Sequence, residues 1–66
     1  MSKFTDKHGV FITVGDNVQA PEPNETDIYN FEFVGYVADI MDNGNIIVED
    51  QDSDFFEIEH NRLEII

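Results

Sequence analysis

Turn signals come at short intervals along this chain. D-K-H-G stands at 6–9, G-D at 15–16, Pro21 and Pro23 follow, D-N-G-N occupies 42–45, and the acidic run E-D-Q-D-S-D fills 49–54. Between them, no window repeats apolar residues at helical spacing for a full helix. Phe, Ile and Val dominate the apolar residues, and these are strand formers. Short strands separated by frequent turns predict an all-β domain, a barrel or a sandwich. At 66 residues the chain is one small domain. Such a chain buries only about 60% of its unfolded surface, so its core has to be compact.

The elements follow from the punctuation. D-K-H-G predicts a tight turn with Gly9 at the φ > 0 position, pairing a short arm around Phe4 with Val10–Ile12. After the turn at Gly15-Asp16, a strand begins over 17–20 with Val18 inward. Pro21 and Pro23 end its ladder, because neither donates a backbone hydrogen bond. The polar stretch PEPNETDIYN, residues 21–30, predicts a mobile loop facing a partner. FEFVGYVADIM, residues 31–41, reads as the second strand, with Phe31, Phe33, Gly35 and Val37 on one face. Ile40 is one residue out of that register, which predicts a bulge or bend after Val37. Gly35 leaves room for close backbone approach. Asn43-Gly44 suits a type I′ hairpin turn. A third strand begins at 46–48, and a fourth covers 55–58 with Phe56 and Ile58 toward the core. One helical turn over 60–63 and a short final strand over 64–66 complete the chain.

Charge narrows the partners. Fifteen acids face Lys3, Lys7 and Arg62, for a net charge of −12. Such a surface repels phosphate and anionic lipid, so direct nucleic-acid and membrane binding are not expected. A basic protein partner is favoured, although excess acid also serves solubility alone. With no cysteine there is no disulfide or thiolate zinc site. No apolar run approaches the roughly 20 residues of a membrane span. The opening MSKFTDKHG carries no signal-peptide apolar region. The expected location is cytoplasmic.

Candidate chemistry is sparse. His8 and His60 lie in turn regions at opposite ends, and Ser2 and Ser53 lack an evident base. No enzyme activity and no cofactor are expected. Asp50, Asp52 and Asp54 match the first ligands of a calcium loop, but Phe55 stands where that loop needs Gly and Asn61 where it needs Glu. These three aspartates are therefore only a weak metal candidate. The simpler reading is a turn in which Asp caps its own backbone. His60 with Glu57 and Glu59 is a poorer metal set still, because neighbouring strand side chains point apart.

Four pieces, VGDNVQA, FVGYVADI, NIIVEDQDSDFFEIE and RLEII, resemble small SH3-like barrels of the Tudor and KOW type. The resemblance covers residues 14–66. It implies a five-stranded SH3-like barrel with one helical turn before the last strand; residues 1–13, outside the resemblance, read as an N-terminal hairpin arm. In Tudor domains an aromatic cage holds a methylated lysine or arginine, with a polar residue beside it. Carried over, Phe33 takes the second-strand wall and Tyr29 or Phe31 the loop wall. Glu49 and Asp52 replace two further aromatic walls, and Asp54 takes the polar position. A cation–π cage needs ring faces around the ammonium, so the resemblance points to an unmethylated Lys or Arg side chain. KOW-type domains often bind nucleic acid or ribosomal and transcription proteins, and the charge opposes the nucleic-acid half of that inheritance.

The expected function is a non-catalytic protein-interaction module that binds a basic peptide or surface through Tyr29, Phe31, Phe33, Glu49, Asp52 and Asp54. The outward member of Phe55 and Phe56, with Tyr29, Phe31 and Tyr36, is expected to form an exposed aromatic patch rimmed by carboxylates. Two alternatives stand beside this. One is an acidic decoy of nucleic acid. The other is a structural homodimer that buries the patch or an edge strand.

Overall fold

The computed structural model describes residues 3–66. Met1 and Ser2, part of the expected arm, lie outside the described residues. Five strands form in chain order: β1 (Asn17–Ala20), β2 (Phe33–Ile40), β3 (Asn45–Glu49), β4 (Phe55–Glu59) and β5 (Glu64–Ile65). A single 3-10 turn, His60–Arg62, separates β4 from β5. All pairings are antiparallel and make one sheet in the order β4-β3-β2-β1-β5. Among the described residues no ladder joins β4 to β5, so the sheet is open.

Strand alternation sorts the side chains as expected. Val18 and Ala20 of β1, Val37 of β2, Ile46 and Val48 of β3 and Ile58 of β4 are buried. Their neighbours Asn17, Tyr36, Glu57 and Glu59 are exposed. The register of β2 breaks after Val37. Val37 stands opposite Val48 and Asp39 opposite Ile47, leaving Ala38 as the extra residue. This is the bulge that the misplaced Ile40 predicts. It adds twist to the strand. Gly35 is buried, and a Cβ there would collide with the Glu49 carbonyl oxygen and touch Val48. Close backbone approach therefore requires glycine at this position.

The two hairpin turns of the meander share one geometry, and it is not type I′. The Gly44 N–H donates to Met41 O at 3.1 Å, the Met41 N–H donates to Asn45 O at 2.9 Å, and Gly44 has φ +94°. Asn43 keeps a negative φ, whereas type I′ requires both central residues to be positive. The loop is a three-residue turn closed by a left-handed residue. Between β3 and β4, the Ser53 N–H donates to Asp50 O at 3.2 Å and the Asp50 N–H to Asp54 O at 2.9 Å. Ser53 sits at φ +66°, in the place that Gly44 holds in the first turn.

The N-terminal arm folds back as predicted. Thr5 bridges Phe11, the Ile12 N–H donates to Phe4 O at 2.9 Å, and Gly9 turns the chain at φ +83°. Asp6 is 4% exposed and fastens this arm to the sheet. One of its oxygens accepts the N–H groups of His8 and Val10, each at 2.9 Å. The other accepts the Ile65 N–H at 3.0 Å. The Lys7 N–H adds a bond to Leu63 O at 2.9 Å. Ile12 thereby joins the core, alongside Leu63 from the end of the 3-10 turn.

Burial pushes the Asp6 carboxyl up, but the N–H groups of Ile65, Val10 and His8, with the His8 charge, hold it below the ordinary 3.8. Its contribution to folding is thus fully present above that value and is lost as pH falls through the lower folded-state value. Urea unfolding should show stability level down to about pH 5 and falling below about pH 4. Asp6→Ala strands three N–H groups and should cost about 3 kcal/mol at neutral pH. Asp6→Asn should make the acid limb shallower. In the same assay Gly35→Ala should cost about 3 kcal/mol, from overpacking against backbone that cannot move aside.

Candidate binding groove

Hydrogen bonds tie the segment from 21 to 32 to the rest of the domain. A local turn forms where the Asp27 N–H donates to Asn24 O at 3.2 Å and the Asn24 N–H donates to the Asp27 carboxylate at 2.9 Å. The Asp27 carboxylate also receives both Arg62 nitrogens, at 3.2 and 2.9 Å. That bidentate hydrogen bond is the main reason the Asp27 carboxyl lies below its usual range, against the upward push of burial. Two residues on, Tyr29 is buried and donates its hydroxyl to Pro21 O at 3.0 Å. Burial pushes its phenol up. Its ring meets Phe33 edge-on at 5.2 Å and Phe56 at 5.5 Å, and Phe33 and Phe56 lie 5.4 Å apart.

With Asp27 and Tyr29 held down, Ile28 and Phe31 stand out, at 79% and 80% exposed. Phe31, Phe33, Glu32, Asp50 and Asp52 line an open groove of about 330 Å³, with Tyr29 and Phe56 also on its wall. A second groove, about 450 Å³, shares Glu32, Phe33, Asp50 and Asp52 with it and reaches Gln19 and Val34. One surface therefore combines exposed ring, half-buried ring and carboxylates.

The predicted site residues divide. Phe31, Phe33 and Asp52 meet at the groove. Tyr29 is there too, but as a buried core ring and not as an open cage wall. Glu49 points to the other face of the sheet, where its carboxylate accepts the Tyr36 hydroxyl. Asp54 lies in the β3–β4 turn, and its N–H donates to the Asp50 carboxylate at 2.9 Å. The expected aromatic patch is likewise split. Phe55 and Tyr36 flank Glu49 on the outer face, whereas Phe31 belongs to the groove. Glu32 and Phe56 are lining residues that sequence reasoning did not assign to the site. Alternation already sends Phe56 inward, but nothing local shows that Tyr29 would bring the loop against it.

The D-x-D-x-D run is a turn organised by its first aspartate. One Asp50 oxygen accepts the N–H groups of Asp52 and Asp54, both at 2.9 Å. Among the described residues no group of three or more His, Asp or Glu is placed to hold a metal ion. His60 is held by the arm, its Nδ1 2.6 Å from Thr5 O and its ring 5.1 Å from Phe4. A separate groove of about 410 Å³ lies between the arm and the end of β2, where Lys3 accompanies Asp39 and Asp42. Among the described residues no helix is long and apolar enough to cross a membrane. Compared with known proteins, the sequence matches no family model and no curated protein.

The rings of the groove should separate by role in chemical denaturation. Tyr29→Ala should cost about 3 kcal/mol, as a core aromatic truncation. Phe31→Ala should change stability by less than about 0.5 kcal/mol.

Proposed function

We propose that this chain is a non-catalytic binding module that takes a basic peptide or protein surface in the groove between Phe31, Phe33 and Asp52. We further propose that it is a cytoplasmic SH3-like barrel similar to Tudor and KOW domains. The strand order β4-β3-β2-β1-β5 and the 3-10 turn before the last strand support that assignment. The observation that carries the functional reading is the exposed Phe31 ring beside Phe33, with Glu32, Asp50 and Asp52 around the same opening. A lysine or arginine stem can lie along the rings while its charged head reaches the carboxylates. The net charge of −12 speeds the encounter with a basic partner. Of the rings that line the groove, Phe31 alone is freely exposed, so added methyl groups gain no enclosing cage.

Calorimetry with lysine-containing peptides at low salt tests this. Phe31→Ala and Asp52→Lys should each weaken binding about tenfold, which is 1.4 kcal/mol, with the unfolding midpoint unchanged. Trimethylating the lysine should not tighten binding. Binding that survives both substitutions would remove the groove from consideration. The two alternatives predict different results. An acidic decoy binds nucleic-acid-binding proteins and is indifferent to Phe31. A structural homodimer appears in light scattering without any peptide.

A further inference from the structure

The two edges of the sheet are finished differently. At β5, the outward Ile65 N–H is taken by the Asp6 carboxylate, and Leu63 O accepts the Lys7 N–H. The arm covers that edge. At β4, no segment among the described residues does the same. The β3–β4 ladder is flanked by Asp50 N–H to Asp54 O at one end and His60 N–H to Gly44 O at the other. Hydrogen-bonded pairs alternate along an antiparallel ladder, so Val48–Phe56 and Ile46–Ile58 are bonded pairs. Phe55, Glu57 and Glu59 therefore turn their N–H and C=O groups away from β3. Among the described residues, no backbone partner meets them.

An open groove of about 300 Å³ runs beside this edge, lined by Ile28, Tyr29, Phe56, Glu57, Glu59 and Arg62. Ile28 is 79% exposed there. On the sheet's outer face, the side chains of the same strand are Phe55, Glu57 and Glu59, all exposed. An edge of this kind offers main-chain bonds for affinity and alternate side chains for selection. The charge selects the occupant. A second copy pairing antiparallel along β4 would set Glu57 and Glu59 against the same residues of a chain that also carries −12, and facing like charges destabilise a strand pair.

We infer that the β4 edge docks an extended segment of a basic protein partner, added as a further strand. Its lysines or arginines, at every second position, face Glu57 and Glu59, and its intervening apolar residues lie over Ile28 and Phe56. The inference rests on the basic-partner reading for the sign of the charge but uses a different surface.

The test is amide NMR and hydrogen exchange on the full chain with a capped peptide of alternating lysine and valine. The control is the same peptide with alternate backbone nitrogens methylated. The amides of Phe55, Glu57 and Glu59 should exchange at least about tenfold more slowly with the peptide, and the methylated control should leave them unchanged. Glu57→Lys with Glu59→Lys should weaken binding about tenfold or more, whereas Phe31→Ala should not. If the double variant does not fold, as lost dispersion of its spectrum would reveal, the methylated control on the native chain decides. Shifts confined to Phe31, Phe33, Asp50 and Asp52 would overturn the edge while sparing the groove. Equal binding of both peptides would also overturn it. β4 amides protected without peptide, in a dimer, would assign the edge to a second copy. No response at either surface would overturn both readings.

Discussion

A lone sheet has one face to bury and no second layer to bury it against. In this chain the cover is assembled from pieces outside the strands: Ile12 from the arm, Tyr29 from the segment before β2, and Leu63 from the end of the 3-10 turn. None of these pieces has regular structure long enough to hold itself in place. Each is fixed by polar bonds to a distant part of the chain. Asp6 and Lys7 tie the arm to β5, and Asp27 and Arg62 tie the loop to the 3-10 turn. The hydrophobic cluster supplies the driving force. The two carboxylates give it a unique arrangement.

That division explains which parts of the structure were legible in the sequence. Turn signals and the periodicity of two marked all five strands, although β2 begins at Phe33 and leaves the expected strand residue Phe31 exposed outside it, and the displacement of Ile40 marked the bulge at Ala38. Gly9 marked the arm's turn, and Gly35 the close backbone approach. Turn chemistry was legible only in part. D-N-G-N marks a hairpin, but the Met41–Asn45 bond leaves three residues between, and one left-handed residue then suffices. The β3–β4 turn reached the same geometry with serine, a residue that gives no such signal. The site was legible as composition, aromatic beside acid, but not as assembly. Tyr29 sits in a stretch that reads as solvated, and what buries its neighbourhood is an arginine 35 residues from its aspartate. Glu49 and Asp52 are close in sequence, but Glu49 accepts the Tyr36 hydroxyl whereas Asp52 lines the groove.

Surface charge is organised on the same plan. Arg62 is committed to Asp27, which leaves Lys3 and Lys7, both on the arm, as the remaining full positive charges among the described residues. The groove and the β4 edge therefore face solvent with carboxylates and no neighbouring cation except the paired Arg62. Both surfaces also adjoin the same two rings, buried Tyr29 and half-buried Phe56. A rearrangement of Tyr29 would be felt at both.

The Asp6–Ile65 bond closes a span of 59 residues, and this separation sets an order of events. Hairpins β2–β3 and β3–β4 close over short loops. Bringing Asp6 to Ile65 costs about 1.5 kcal/mol more chain entropy than closing a loop of ~10 residues. The meander can therefore form early on local contacts, but its inner face stays uncovered until the arm arrives. On this entropic ground the clamp is expected to close after the meander, joining the chain's beginning to its end.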